Sequence, residues 1–342
     1  MKTQLDEKQP LSSIPFHSRL SFAAPTGRTM RGVVRELDRQ GARLRKEILP
    51  IPSRNEDEVL IQVQASSVHA VDIERDCLDQ TRSWMLRPCF VPGCDVAGRV
   101  VECDSSSPLR PGDRVMALQS PVVGGAWADY TVCNRDAVVM IPDWMTMAEA
   151  AAMPLAGTTA LQALRHHGPI TSGMRLLVNG ANTSIGLMAV QIAKAFGAYV
   201  TAVAAGVHKS FCSGIGADSF HDSCRKPISY LGQRWDLIFD AQGNLRFIDL
   251  TDCLPNGGRF VSLRPGAVDP LVNLVSRLWS KTGTSIQVTP SAMDLRNVRD
   301  LWKAGKINPV IDRAFDMRNI EAAQRHAANA DHRGAVVLVR GG

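Results

Sequence analysis

At 342 residues, with 45% hydrophobic and 21% charged side chains, the chain has the makeup of a water-soluble globular protein and the length for two domains, each with its own core. The formal net charge of +6 is modest for that length, and the early basic residues (Arg28, Arg31, Arg35, Arg39, Arg43, Arg45, Lys46) are interleaved with Glu36, Asp38 and Glu47. No aromatic-interleaved basic stripe marks a nucleic-acid groove, no apolar run approaches the ~18 residues of a membrane span, and eight scattered cysteines without a C-x-x-C pair read as reduced thiols.

The opening MKTQLDEKQPLSS lacks the apolar stretch of a secretory signal, and Asp6 and Glu7 argue against a mitochondrial presequence, so the cytoplasm is the expected compartment. Residues 1–29 show no sustained period and read as an N-terminal extension. From Met30, MRGVVREL and ARLRKEILPIP predict two strands around a turn at Asp38 to Gly41. EVLIQVQASSVH alternates, with Val59, Ile61 and Val63 on one face, and VAGRVVEC and PLRPGDRVMAL follow with a Pro111–Gly112 turn. Trp127 to Val132 and Ala137 to Met140 add strands, giving a β-rich domain of barrel type. Met147 to Leu164 has helical spacing, broken by Pro154 into two helices. Strand and helix then alternate through FCSGIGADSF, WDLIFDA and GGRFVSL, the pattern of a parallel sheet. VNLVSRLW, Val272 to Trp279, reads as a helix of the core, of a dimer surface or of a substrate lobe. After residue 288 come a helix, a strand at Val310 and Ile311, a helix over Ile320 to Ala330 and a last strand AVVLVR, a tail able to return to the first domain.

The chemistry concentrates in Met174 to Val203, which spells strand, tight turn, helix and strand. A pyrophosphate needs backbone N–H groups at the start of a helix and side chains small enough to let it approach. Gly180, Ala181, Thr183, Ser184 and Gly186 are all small, although against G-x-G-x-x-G only Gly186 is strict; an ordinary strand-to-helix turn is the competing reading. Thr183 and Ser184 have hydroxyls to offer phosphate oxygens. The second strand ends in Ala204, Ala205, Gly206, Val207, His208 and Lys209, with no carboxylate for a ribose 2′-OH. A neutral pocket near Lys209 favours a 2′-phosphate and hence NADP(H), unless Lys209 is only a solvated residue at a helix start.

These residues resemble the medium-chain dehydrogenase/reductase superfamily, in its zinc-free quinone oxidoreductase branch. The resemblance runs from Met30 to Arg340 through EVLIQVQASSVHAVD, FVPGCDVAGRVVE, RPGDRV, AAMPLAGTTALQAL, NGANTSIG with LMAVQIAKAFGA, GADS, WDLIFDAQGN, GGRFVSL, KAGKINPVIDRAF and HRGAVVLV, in order. It implies an α/β protein in which a GroES-like β-rich catalytic domain (residues 30–152 and 289–342) flanks a Rossmann doubly wound parallel sheet (residues 153–288). It also implies NADP(H) in the interdomain cleft, a small-molecule substrate and usually a homodimer. Carried over residue by residue, the cofactor contacts are Asn182, Thr183, Ser184 and Ile185 of the turn, Lys209, Thr158 of PLAGTT, Ala241 and Leu263 at strand ends, and Arg333. Ser223 stands where relatives often place a Tyr against the adenosine phosphate.

Where zinc-dependent relatives hold a catalytic metal, this chain has His69, Cys94 and Leu155. A leucine cannot bind zinc, a catalytic site needs three protein ligands, and only Asp95 offers a replacement, so no metal is expected. The reading is NADPH-dependent hydride delivery to a quinone or an α,β-unsaturated carbonyl acceptor. His69, at the position of the family's active-site Asn, and Asp72 are the candidate catalytic residues; His69 is either a proton donor to the developing enolate or a packed histidine. The family's Tyr over the nicotinamide has no counterpart in CLDQTRSWMLR unless Trp84 fills the space. These departures keep two rivals open: a pathway-specific, trans-acting enoyl reductase, and a non-catalytic NADPH-binding protein.

Overall fold

The computed structural model describes residues 27–38, 41–69, 72, 89–121, 123–329 and 331–341. Trp84 and most of the N-terminal extension lie outside them. The first part of the chain supplies β1 (Thr29–Asp38), β2 (Gly41–Pro50), β3 (Glu58–Val68), β4 (Cys89–Phe90), β5 (Asp95–Glu102), β6 (Arg114–Leu118), β7 (Tyr130–Asn134) and β8 (Val138–Met140). Helices α1 (Met147–Ala151) and α2 (Pro154–Gln162) follow, separated at Pro154, whose missing N–H is harmless in a first helical turn. Thr146 opens α1 with a full capping box to Glu149.

Next come β9 (Arg175–Asn179), α3 (Ser184–Ala195), β10 (Tyr199–Ala204), α4 (Lys209–Gly214), β11 (Ser219–Asp222), β12 (Leu237–Asp240), β13 (Arg259–Ser262), α5 (Pro270–Ser276) and β14 (Thr282–Ser285). Among the described residues these six strands form a parallel sheet in the order β11-β10-β9-β12-β13-β14. The chain builds outward from β9 and then crosses back to β12, so β9 and β12 bound the switch point where a doubly wound sheet opens a crevice. β9, β10 and β12 are almost wholly buried apolar runs, as strands covered on both faces must be.

The tail holds α6 (Ala292–Lys303), β15 (Ile311–Asp316), α7 (Ile320–Ala327) and β16 (Ala335–Val339). β16 pairs antiparallel with β3, within a sheet ordered β15-β16-β3-β5-β6-β8 that also takes β7 on β3. The β3–β5 register slips between Val63 and Ala65, and such a bulge re-aims the residues after it. Those residues include Ser66 and Ser67. One apolar cluster runs from Ala65 and Met116 of this sheet through Leu155 and Leu161 of α2 to Leu176 and Val178 of the parallel sheet. The two sheets therefore share a core across α2.

Candidate active site

His69, just beyond β3, and Asp95, the first residue of β5, are both buried. The His69 Nε2 atom lies 2.6 Å from Asp95 Oδ2, which also accepts the Ser67 hydroxyl; Ser67 Oγ is 2.8 Å from Nε2. The second carboxylate oxygen of Asp95 accepts the Leu155 N–H of α2 at 2.7 Å, and Ser66 Oγ bonds the Asp95 carbonyl at 2.7 Å. A carboxylate on one ring nitrogen fixes the tautomer, so Nε2 carries a proton and Nδ1 is the nitrogen left to gain or lose one. Nδ1 faces Ser184 Oγ of the α3 turn at 3.5 Å. Burial disfavours the imidazolium, but the charge and hydrogen bond of Asp95, with a smaller contribution from Asp72, outweigh it and raise the His69 pKa above its usual 6.5.

Asp72, the second catalytic candidate, is seen here in contacts to backbone and to Arg35. Its carboxylate accepts the His69 backbone N–H at 2.9 Å, and its carbonyl takes Arg35 Nη1 at 3.2 Å, so it braces the segment and does not touch the ring through these bonds.

The turn between β9 and α3 is built as a cradle. Gly180 adopts φ +79°, and a Cβ on Gly186 would sit on the Gly180 carbonyl oxygen, so α3 approaches the turn only because position 186 has no side chain. Thr183 is the N-cap of α3: its hydroxyl accepts Gly186 N–H at 3.0 Å and donates to Gly180 O at 2.8 Å. That corrects the expectation that Thr183 offers its hydroxyl to phosphate. The first-turn N–H groups of Ser184 and Ile185 have no acceptor among the described residues, which leaves them for an anion. The tail is stitched to this turn, because Gly334 N–H donates to Asn182 O at 2.8 Å and Asn182 Nδ2 to His332 O at 3.3 Å; exposed Arg333 lies between those contacts. Ala181 is buried beneath the turn.

Thr158 and Thr159 of α2 are buried with hydroxyl oxygens that have no partner among the described residues, a costly state unless a ligand or water completes them. Thr159 sits one turn beyond Leu155, on the helix face that meets Asp95. Thr158 is the expected contact and Thr159 joins it; two adjacent threonines inside an apolar helix are the sequence signal for the pair. At the carboxyl ends of the parallel strands, Ala241 N–H donates to Asn179 O at 3.0 Å and Leu263 N–H to Asp240 O at 3.2 Å. A cavity of about 610 Å³ opens there, lined by Asn179, Val203, Ser223, Lys226, Asn244, Arg264 and their neighbours. Lys209 is exposed and is not part of that lining. Asp240, fully buried, holds the loop under the cavity through Asn179 Nδ2, Ser262 Oγ and the N–H groups of Gly243 and Leu245, at 2.8 to 3.0 Å. A lone Asp closing the apolar run WDLIF was its only sequence signal.

The comparisons agree with this geometry. Residues 55–143 match the family model of the alcohol dehydrogenase GroES-like domain, and residues 215–338 match that of the zinc-binding dehydrogenases. The chain is 29% identical over 306 residues to a chloroplast envelope quinone oxidoreductase homolog of Arabidopsis thaliana, covering 85% of this chain and 92% of the relative. It is 32% identical over 271 residues to a 2-methylene-furan-3-one reductase of Solanum lycopersicum, covering 77% and 66%. The quinone oxidoreductase of Coxiella burnetii superposes with a TM-score of 0.80 at 23% identity over 91% of this chain and 99% of that one, a match of fold. The chain belongs to the medium-chain dehydrogenase/reductase superfamily, in its quinone oxidoreductase-like branch.

As a medium-chain dehydrogenase/reductase it is an oxidoreductase, and its family works with a nicotinamide dinucleotide. One matching family model is named for zinc binding. Among the described residues no group of three or more His, Cys, Asp or Glu side chains is placed to hold a metal ion. At position 155 a leucine presents its backbone N–H to Asp95, whose two oxygens are already engaged by Leu155, Ser67 and His69. No described helix is long and apolar enough to cross a membrane.

Proposed function

We propose that this chain is a zinc-independent, NADPH-dependent reductase that delivers hydride to a quinone or an α,β-unsaturated carbonyl compound, with His69 as its proton donor. The observation that carries the reading is the buried His69–Asp95 pair, set with Nδ1 toward the first residue of the dinucleotide-binding helix. When bound, the dinucleotide supplies the hydride from C4 of its dihydronicotinamide. The chain's residues do the rest: the α3 N-terminus receives the pyrophosphate, and the Thr159 and Thr158 hydroxyls are available to fix a polar group beside α2. The raised pKa favours a proton on Nδ1 of His69, where it can meet the charge developing on the acceptor oxygen. A conjugated acceptor is already electrophilic, so no step is routed through a metal. The enone substrate in the name of the tomato relative supports the acceptor class.

The test is NADPH oxidation, with NADH in parallel, against quinones, enones and aldehydes with and without chelator. Chelator-insensitive turnover of a quinone or enone is expected. Tight NADPH binding without turnover on the whole panel favours a carrier-bound enoyl substrate or a non-catalytic role.

We also propose a homodimer. Leu271, Leu274, Val275 and Leu278, on α5 and the turn after it, are 54–79% exposed, beside an edge strand, β14, that pairs only with β13 among the described residues. An open strand edge with an apolar neighbour is a surface that proteins usually cover. Light scattering should give twice the chain mass, and Leu274→Lys should lower it toward the monomer.

A further inference from the structure

His69 and the turn before α3 come from different parts of the chain, and their meeting sets two chemistries side by side. Nδ1 of the buried His69 ring has Ser184 Oγ at 3.5 Å. Ser184 is the first residue of α3, a helix of 12 residues, and its backbone N–H has no acceptor among the described residues. A phosphate oxygen that takes this N–H lies beside the hydroxyl of the same residue. A buried imidazole nitrogen therefore stands one hydroxyl away from the anion site.

That hydroxyl has one proton to give, and the empty and loaded sites use it in opposite directions. Asp95 holds Nε2 as N–H, so Nδ1 of a neutral ring is an acceptor and takes the Ser184 proton. With its proton given to a phosphate oxygen instead, the Ser184 hydroxyl turns a lone pair to the ring, and only a protonated Nδ1 can answer it. Negative charge at the turn favours the imidazolium as well. Two acids face the ring, Asp95 from β5 and Asp72 from beyond β3. Ser67 and the buried thiol of Cys94 adjoin Asp95, and α2 brings the Leu155 N–H. Of the cations, Arg35 of β1 is turned to the Asp72 carbonyl at 3.2 Å, and Arg333 is exposed on the tail beside the turn.

We propose that the His69–Ser184 contact couples dinucleotide binding to proton uptake, so that His69 gains its proton as the α3 turn receives a pyrophosphate. The proton comes from solvent and adds to Nδ1, and no other covalent bond changes. This rests on the reading of the turn as the dinucleotide site, and adds how the proposed acid is loaded.

The experiment titrates the full chain with NADPH, and with NADH in parallel, by calorimetry in buffers of different ionisation enthalpy, which counts the protons taken up. Wild type is compared with His69→Asn and Ser184→Ala, and the shared ligand cancels any proton exchanged by its own phosphates. Wild type should take up about half a proton or more beyond His69→Asn near the raised His69 pKa. From about pH 6.5 to about 9 its affinity should fall about tenfold more than that of His69→Asn. Ser184→Ala keeps the first-turn N–H groups, so it should bind and yet lose most of that difference. The His69 Cε1–H resonance of wild type gives the answer without substitution, because its titration should move to higher pH on loading. Equal uptake in wild type and His69→Asn, undiminished uptake in Ser184→Ala, or an unmoved resonance midpoint overturns the proposal. If neither dinucleotide binds, the reading of the turn fails instead, a result distinct from binding without His69-dependent uptake.

Discussion

Asp95 and Lys226 are both charged residues, one buried between β3, β5 and α2 and one at a cavity rim, and the protein treats them in opposite ways. The Asp95 carboxylate is fully buried, with hydrogen bonds from Ser67, His69 and Leu155 that tie β3, β5 and α2 to one group. The Lys226 ammonium is exposed at a cavity rim. A buried charge holds geometry because every partner is fixed, and its removal strands those partners; a rim charge holds nothing in the fold and is free to meet a ligand. Chemistry placed in the first region is bound to stability, while selectivity placed in the second is adjustable.

The largest expected effect tests the buried side. Asp95→Ala leaves His69 Nε2, the Ser67 hydroxyl and the Leu155 N–H without their acceptor, and should cost about 3–5 kcal/mol in thermal or urea unfolding. A loss below ~1 kcal/mol would show that the pair does not organise the site. Next comes the cradle. Gly186→Ala puts a methyl group on the Gly180 carbonyl, which forces α3 away from the turn. It should cost about 1–3 kcal/mol and abolish measurable dinucleotide binding, read by fluorescence titration. Retained affinity would remove the turn from the binding site.

How much of this was legible beforehand follows the same divide. The β9–turn–α3–β10 unit shows in the sequence because apolar period and small turn residues agree. The first turn of α3 does not, since Ser184, Ile185 and Gly186 carry no helical apolar pattern and the helix begins there only because Thr183 caps it. β14 was missed because Thr-Gly-Thr-Ser has neither alternation nor apolar weight; its Gly283 admits Phe247, where a Cβ would clash. Asp95 was visible as a lone acid after Cys94, but only the fold brings β5 beneath His69 and the first turn of α2. Lys226 sits in a polar run, and a single sequence cannot reveal which lysine faces a cavity.

The third expectation concerns pH. With His69 as the proposed acid at Nδ1, turnover should fall as pH rises through its raised pKa, with the inflection above 6.5. Asp95→Asn removes the attraction and leaves the burial, so the inflection should move to lower pH in any variant that folds. The stability linkage has the same sign. A folded pKa above the unfolded value gives a contribution complete below 6.5 and lost as pH climbs through the raised value. A kcat profile flat across this window in wild type would remove His69 from the rate-determining proton transfer.

The smallest expected effect sharpens the contrast from the rim. Lys226→Ala removes a charge with no side-chain partner among the described residues, so its unfolding free energy should stay within about 0.5 kcal/mol of wild type and the His69-dependent inflection should not move. A destabilisation as large as that of Asp95→Ala would mean that the loop after β11 depends on Lys226 for its own structure. The separation between a fixed buried centre and an adjustable cavity rim would then fail at the residue chosen to represent it.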